Sequence, residues 1–72
     1  MSKDIQNQFL ENAMNQRVNT TIFLSSGIKL LGQIIGYDDD CIILAGKGVY
    51  QLIYKNAIST LVPPESINLL DD

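Results

Sequence analysis

Apolar residues near the N-terminus recur at the spacing of an α-helix. They fall at positions i, i+4 and i+8, with two further apolar residues widening the same face. The stripe consists of Ile5, Phe9, Leu10, Ala13 and Met14. The pattern predicts an amphipathic helix over about residues 5–16, with Asp4 as its N-cap. We expect the stripe to pack on the rest of the domain rather than on a partner.

From Thr20 onward, β-branched and aromatic residues dominate, and turn residues punctuate the chain at short intervals. This pattern is typical of short antiparallel strands. The predicted strands cover residues 20–24, 28–38, 41–44, 49–55 and 57–62. Pro63 and Pro64 end the last strand, because proline cannot donate a hydrogen bond to a strand ladder. Residues 63–72 are then a short acidic tail.

The second predicted strand is long and carries two glycines, Gly32 and Gly36. Because they lie four residues apart, both fall on the same face of the strand. Glycines in such positions mark a sharp bend or the close approach of another backbone. A helix followed by five antiparallel strands, one of them bent, predicts a mainly β fold in which residues 20–62 form a small, strongly curved barrel.

The fourth and fifth predicted strands are apolar and are separated only by "KN" at positions 55–56. Exposed apolar strand edges aggregate unless another chain covers them. Hydrophobic residues make up 46% of the chain, which is ample for one small domain. A closed ring of identical subunits would pair every edge, so we expect a ring-forming protein.

Composition argues against an enzyme. The chain has no histidine and a single cysteine, Cys41, which excludes His/Cys zinc sites, Ser-His-Asp triads and Cys-His pairs. "GKG" at 46–48 lacks the spacing of a phosphate-binding loop and is better explained as a hairpin turn. The aspartates at 38–40 alternate between faces of an extended chain and seldom converge on one ion. We expect no cofactor and no metal.

Location is predicted from what the chain lacks. No apolar run approaches the roughly 18–20 residues needed to cross a bilayer. The N-terminal "MSKDIQNQFL" has no apolar core of the kind found in signal peptides. A lone cysteine is compatible with a reducing compartment. These features predict a soluble, cytoplasmic protein without membrane contact.

The stretch "YKNAIST" (54–60) resembles the second Sm motif of the bacterial Sm-like Hfq family, which usually has histidine at the third position. "FLSSGIKLLGQIIGYD" (23–38) resembles its first Sm motif, and "IQNQFL" (5–10) resembles the start of its helix. The resemblance covers about residues 5–62. It implies an Sm-like (SH3-like) barrel in a homohexameric ring, which acts as an RNA chaperone pairing small regulatory RNAs with messenger RNAs.

The resemblance implies a distal ring face that binds adenine-rich RNA. The matching residues are Phe23, Gly27, Ile28, Lys29, Leu30, Gln51 and Thr60. The residue types suit that ligand, since an aromatic ring stacks on bases, an amide hydrogen-bonds their edges and a lysine contacts phosphate. The alternative for Phe23, Ile28 and Leu30 is ordinary core or interface packing.

The implied proximal face, which binds uridine-rich RNA in the family, is altered here. The matching residues are Gln6, Asp40, Tyr54, Lys55 and Asn56. Asn56 replaces the usual histidine, and Asp40 occupies the slot of an aromatic residue that stacks on uridine. Asp39 adds a second carboxylate beside it. A carboxylate cannot stack on a base and repels phosphate, so we expect weak uridine binding.

The implied outer rim is also depleted of cations, because "NAMNQR" (12–17) keeps only Arg17 of the family's arginine patch. With a net charge of −3 per chain, a ring would oppose RNA except at local cationic positions. Two hypotheses follow. The first is an RNA-binding ring that works mainly through its distal face. The second is an Sm-like ring with reduced RNA binding that serves as a protein-interaction scaffold.

Overall fold

A computed structural model describes residues 3–64, with side chains described from Ile5 onward. The chain forms one helix and five strands, and a single 3₁₀ turn (Lys55–Ala57) precedes the last strand. The elements are α1 (Lys3–Gln16), β1 (Asn19–Leu24), β2 (Lys29–Tyr37), β3 (Cys41–Gly46), β4 (Val49–Tyr54) and β5 (Ile58–Val62). The prediction of a mainly β fold with an N-terminal helix is confirmed.

The apolar stripe of α1 faces the sheet, as its spacing predicts. Leu10 and Ala13 are fully buried, and Phe9 and Met14 pack against them at the margin of the core. The helix already includes Lys3, so the prediction of Asp4 as the N-cap is wrong. It ends where Arg17 adopts a positive φ of 56° and its N–H donates to the Met14 carbonyl at 3.1 Å.

The strands form one antiparallel sheet in the order β4-β3-β2-β1-β5. Alternate residues of the strands point inward and close the core together with α1. The buried strand residues are Thr20, Ile22, Ile34, Ile42, Leu44 and Ile53. The register shifts once between β1 and β5 and once between β2 and β3, and such irregularities bend the strands.

Most strand boundaries differ from prediction by one or two residues, and two of these differences have a clear local reason. The turn between β3 and β4 holds only Lys47 and Gly48, whose φ angles of 52° and 76° match a two-residue hairpin turn. The last strand begins at Ile58 rather than at residue 57, because Lys55–Ala57 coil into the 3₁₀ turn. The acidic tail predicted for residues 63–72 lies outside the described residues from position 65 onward.

The two ends of the sheet carry open edges. Within residues 3–64, β4 pairs only with β3, and β5 pairs only with β1. β4 also exposes large apolar side chains over half or more of their surface. They are Val49, Tyr50, Leu52 and Tyr54. Each edge therefore offers unpaired backbone groups to another chain.

Gly32 lies where β2 and β3 come closest together. A methyl group added at Gly32 would lie 2.6 Å from the Ala45 carbonyl oxygen and 3.0 Å from Leu44 Cγ. At Gly36 the nearest atom would be Ile43 Cδ1, at 3.9 Å, which is ordinary contact. Gly36 instead follows the register shift between β2 and β3. Of the two alternatives predicted for these glycines, Gly32 shows the close approach of another backbone, and Gly36 lies at the irregularity that bends the strand.

These two glycines provide a matched pair of substitutions. We expect Gly32→Ala to lower the free energy of unfolding by about 1–3 kcal/mol, because a backbone carbonyl cannot swing away from the added methyl. Gly36→Ala should change stability by no more than about 1 kcal/mol, since space is available and φ is not positive. Urea titrations at one fixed protein concentration measure both. Equal losses at the two positions would contradict this account of the bend.

Candidate nucleic-acid interface

Several residues of the expected distal site gather where β1, β2 and β5 meet. Phe23 lies directly opposite Lys29 on one side and Thr60 on the other. Directly opposed residues of neighbouring strands share a face of the sheet. Phe23 is half-buried, whereas Lys29 and Thr60 are exposed. The aromatic side chain of Phe23, the ammonium group of Lys29 and the hydroxyl group of Thr60 thus lie together on one face of the sheet.

The turn that follows β1 completes this cluster. Gly27 has a φ of 98°, which suits glycine, and its N–H donates to the Leu24 carbonyl at 2.9 Å. The Leu24 N–H donates to the Ile28 carbonyl at 2.8 Å, and Ile28 remains 54% exposed. Leu30 differs from its neighbours, because it faces inward and packs against the core. Leu30 therefore serves at least in part to pack the core rather than to contact a ligand.

Gln51 does not join this cluster within one chain. It lies on β4 opposite Leu44, whereas Thr60 lies on β5. Since β4 and β5 are the two ends of the sheet, Gln51 and Thr60 occupy opposite edges.

The expected proximal residues converge around the 3₁₀ turn. One concave surface is lined by Asp39, Asp40, Tyr54, Lys55 and Asn56. The backbone N–H of Lys55 donates to the Asp40 carbonyl at 2.8 Å, which fixes the turn against the β2–β3 loop. Lys55 Nζ donates to Gln6 Oε1 at 2.9 Å, so the Gln6 side chain reaches the same site from α1.

Asp38 stabilises the loop between β2 and β3. Its Oδ1 accepts hydrogen bonds from the backbone N–H groups of Asp40, at 2.8 Å, and Cys41, at 2.9 Å. These bonds, the one from Asp40 first, hold the pKa of Asp38 below its usual value. Sequence reasoning missed this role, although aspartate at a strand end often caps a turn in this way. The carboxylate is thus engaged with backbone.

Tyr37 and Glu11 link β2 to α1 at the same end of the sheet. The Tyr37 hydroxyl donates to Glu11 Oε1 at 2.8 Å, and this bond is the main reason that the pKa of Tyr37 is raised. Lys55 Nζ lies 5.8 Å from the centroid of the Tyr37 ring, within cation–π range. The contact between Tyr37 and Glu11 was not predicted from the sequence, because residues 26 positions apart give no local signal.

Arg17, the expected rim cation, lies just beyond α1. It lines a shallow depression with Met14, Asn15 and residues 33–35 of β2. Asn15 Nδ2 approaches Glu11 Oε2 at 3.5 Å, at the limit of hydrogen bonding. This side of the helix therefore combines one guanidinium with a carboxylate and neutral groups.

Charge is segregated along the β2–β3 hairpin. Lys29 begins β2, and Lys47 lies in the turn that follows β3, so both lie at one end of the hairpin. The carboxylates of Asp38, Asp39 and Asp40 lie in the loop at the other end. The Phe23 cluster is at the basic end, and the proximal residues are at the acidic end.

Two further classes of site are absent from the part of the chain that the structure describes. No three His, Cys, Asp or Glu residues there lie close enough together to hold a metal ion. Residues 3–64 also contain no helix with the length and apolar character needed to cross a membrane.

Comparison with known proteins agrees with this fold. The family model described as "Hfq protein" matches residues 5–68. The RNA-binding protein Hfq of Brucella ovis is 37% identical over 70 residues, which cover 97% of this chain and 90% of the relative. Its counterpart from Brucella abortus strain S19 matches equally well.

Solved structures give the same result. A crystal structure of the "pleiotropic translational regulator, Hfq" superposes with a TM-score of 0.82 at 34% identity, covering 89% of this chain and 97% of that one. An Hfq protein from Anabaena sp. gives a TM-score of 0.73 at 27% identity, covering 86% and 97%. Family model, relatives and structures agree, and the chain belongs to the Hfq family of Sm-like, non-enzymatic RNA chaperones.

Proposed function

We propose that this protein is a cytoplasmic RNA chaperone that binds adenine-rich single-stranded RNA, with small regulatory RNAs and messenger RNAs as its partners. The observation that carries the proposal is the grouping of Phe23, Lys29 and Thr60 at the basic end of the molecule. Relatives named as RNA-binding proteins and a solved structure named as a translational regulator support it.

The chemistry of the cluster suits an unpaired purine. The Phe23 ring offers a π-face, the exposed side chain of Ile28 extends the apolar wall, and Lys29 can neutralise a phosphate. The carboxylates of residues 38–40 lie at the other end of the β2–β3 hairpin. Among the side chains that the structure describes, none with a negative charge therefore lies between Lys29 and an approaching phosphate.

The open edges support a closed ring, and the resemblance to the family implies six copies. If β4 of one copy pairs with β5 of the next, every edge is satisfied, and Gln51 of one copy comes to the same boundary as Thr60 of its neighbour. The amide then joins Phe23, Lys29 and Thr60 to complete a site between copies. Tyr54, at the end of β4, would pack at the same boundary.

We propose that the proximal face binds uridine-rich RNA only weakly. Asp39 and Asp40 line the same concave surface as Lys55 and Asn56, so carboxylates face the one cation there. The hydrogen bond from Lys55 to Gln6 already uses one ammonium donor. The loss of a stacking ring and the added repulsion act in the same direction and outweigh one phosphate contact.

The second candidate is a ring that acts as a protein scaffold. The exposed apolar side chains of β4 and the acidic loop at 38–40 favour it, because neither feature attracts phosphate. Binding assays with adenine-rich RNA separate the two, since a scaffold has no reason to bind it tightly. At the rim, Arg17 alone beside the carboxylate of Glu11 is expected to anneal RNA strands poorly under either candidate.

Assembly is the first property to test. Equilibrium sedimentation at micromolar concentration should give one species of about six chains, because each sheet edge then has a partner. Leu52→Lys, on the exposed face of the edge strand β4, should dissociate it by placing a charge at the apolar boundary. Ile35→Lys, on the interior strand β2, is the matched control and should leave it intact. A stable wild-type monomer would refute the ring.

The distal assignment predicts two separate effects on adenine-rich RNA. Phe23→Ala should weaken binding by about 1–3 kcal/mol, the cost of losing a stacking platform. Lys29→Ala should flatten the dependence of affinity on salt, because each subunit loses a phosphate contact. Fluorescence anisotropy over a range of salt concentrations measures both.

Lys55→Ala, at the acidic end, is the control for Lys29→Ala and should leave the salt dependence for adenine-rich RNA unchanged. The Phe23 side chain is half-buried, so its removal could also disturb folding or assembly. The oligomeric state of Phe23→Ala must therefore be measured by sedimentation alongside the binding assay. If both variants assemble and bind as the wild type does, the distal assignment is wrong.

The proximal assignment predicts that uridine binding can be restored. Asp39→Gln combined with Asp40→Phe removes two charges and supplies a stacking ring, so affinity for uridine-rich RNA should rise by about 1–3 kcal/mol or more. Asp39→Gln with Asp40→Leu removes the same charges without an aromatic ring and should recover only part of that gain. Tight uridine binding by the wild type would contradict the proposal. No difference between the two double variants would show that position 40 does not stack.

A further inference from the structure

Tyr50 is the most exposed large apolar residue of the described chain, with 77% of the residue accessible in a single copy. It lies on β4 directly opposite Ala45 of β3, and Ala45 lies directly opposite Gln33 of β2. The three side chains therefore form one row on the same face of the sheet.

The row forms a slot with a small residue at its floor. Tyr50 and Gln33 are two strand spacings apart, which is about 10 Å between their Cα atoms. Ala45 between them contributes only a methyl group. One wall of the slot is an aromatic ring and the other is an exposed primary amide. A flat, hydrogen-bonding group would fit both walls.

The surroundings of the slot are basic. Lys47 lies in the turn between β3 and β4, two residues from Ala45 along the chain. Lys29 lies on the same face of β2 as Gln33, because the two residues are four positions apart and alternate residues of a strand share a face. Asp38, Asp39 and Asp40 lie at the other end of the hairpin. Both cations therefore lie on the same side of the row, where they can contact the phosphates of a strand whose base enters the slot.

Folding does not account for the exposure of Tyr50. The core contribution of β4 comes from Ile53, which is only 7% exposed and points to the opposite face. A tyrosine with most of its ring in water stabilises the monomer little, since apolar stabilisation scales with the area removed from water. Its position beside an amide and a lysine is instead what a base-stacking platform requires.

We propose that Tyr50, Gln33 and Lys47 form an additional contact for single-stranded RNA, in which an unpaired base stacks on Tyr50. Gln33 hydrogen-bonds the base edge and Lys47 contacts a flanking phosphate. The inference deepens the proposed function and rests on it, because it extends the RNA path outward from the Phe23 cluster. None of these three residues belongs to the set expected for the distal face.

A protein partner or a second copy is the competing occupant of this face. The apolar surface does continue from Tyr50 to Leu52 on the same face of β4. A protein surface, however, would leave Lys47 and Lys29 without anionic partners unless it were acidic. Phosphates supply that charge at every nucleotide, and the bases supply hydrogen-bonding edges for Gln33. Charge and hydrogen bonding together favour RNA.

The absence of tryptophan from the sequence allows a direct test of stacking. Tyr50→Trp introduces a single tryptophan at the slot, and oligoadenylate should quench its fluorescence when a base stacks on the indole. Ile5→Trp places a tryptophan on the exposed side of α1, next to Gln6 at the acidic end, and is the control. Quenching at position 50 but not at position 5 is expected. Equal quenching at both, or none at 50 despite binding, would overturn the proposal.

Affinity provides a second readout on the intact protein. Tyr50→Ala should weaken oligoadenylate binding by between about fivefold and about 150-fold, the loss equivalent to one stacked base, whereas Tyr50→Phe should bind as the wild type does. Lys47→Gln should flatten the salt dependence. Sedimentation of each variant is essential, because dissociation by Tyr50→Ala would make Tyr50 an interface residue and refute the inference.

The outcomes distinguish this inference from the function on which it rests. If Phe23→Ala weakens binding and Tyr50→Ala does not, the additional contact is refuted and the distal site stands. If the wild type does not bind oligoadenylate at all, both fail together. If both substitutions weaken binding in assembled rings, the RNA path includes the slot.

Discussion

The close packing of β2 against β3 at Gly32 is the contact on which the rest of the structure depends. β2 pairs with both β1 and β3 and also contacts α1, so its path sets the shape of the sheet. Only glycine lets its backbone come this near the Ala45 carbonyl. The register shift before Gly36 adds a second irregularity, and a strand bent in this way lets so few residues enclose a core.

The same hairpin explains how an acidic protein can present a surface suited to RNA. β2 has nine residues, which span about 30 Å if fully extended and less where the strand bends. Screening in physiological salt acts over about 8 Å. The aspartates of the β2–β3 loop therefore have little influence on phosphate bound near Lys29 or Lys47. The position of each charge thus matters more here than the net charge of the chain.

Periodicity in the sequence was enough to predict the helix, the five strands and the two open edges. Motif resemblance singled out the residues that the structure gathers in the Phe23 cluster, and it predicted that Asp40 replaces an aromatic residue. Sequence reasoning could not find the Tyr37–Glu11 hydrogen bond, nor the row from Gln33 to Tyr50, because both depend on strand register and on distant packing. The 3₁₀ turn was missed because "KNA" carries no helix signal of its own.

The placement of Gln51 and Thr60 on opposite edges has a consequence for regulation. If the proposed ring completes the distal site between copies, that site exists only when the chain is abundant enough to assemble. Its occupancy would then depend steeply on cellular protein level, since several chains must meet for each site. RNA bound across a boundary would in turn stabilise the assembly by mass action. The amounts of protein and of RNA ligand would thus together determine how much of the assembled, RNA-binding form is present.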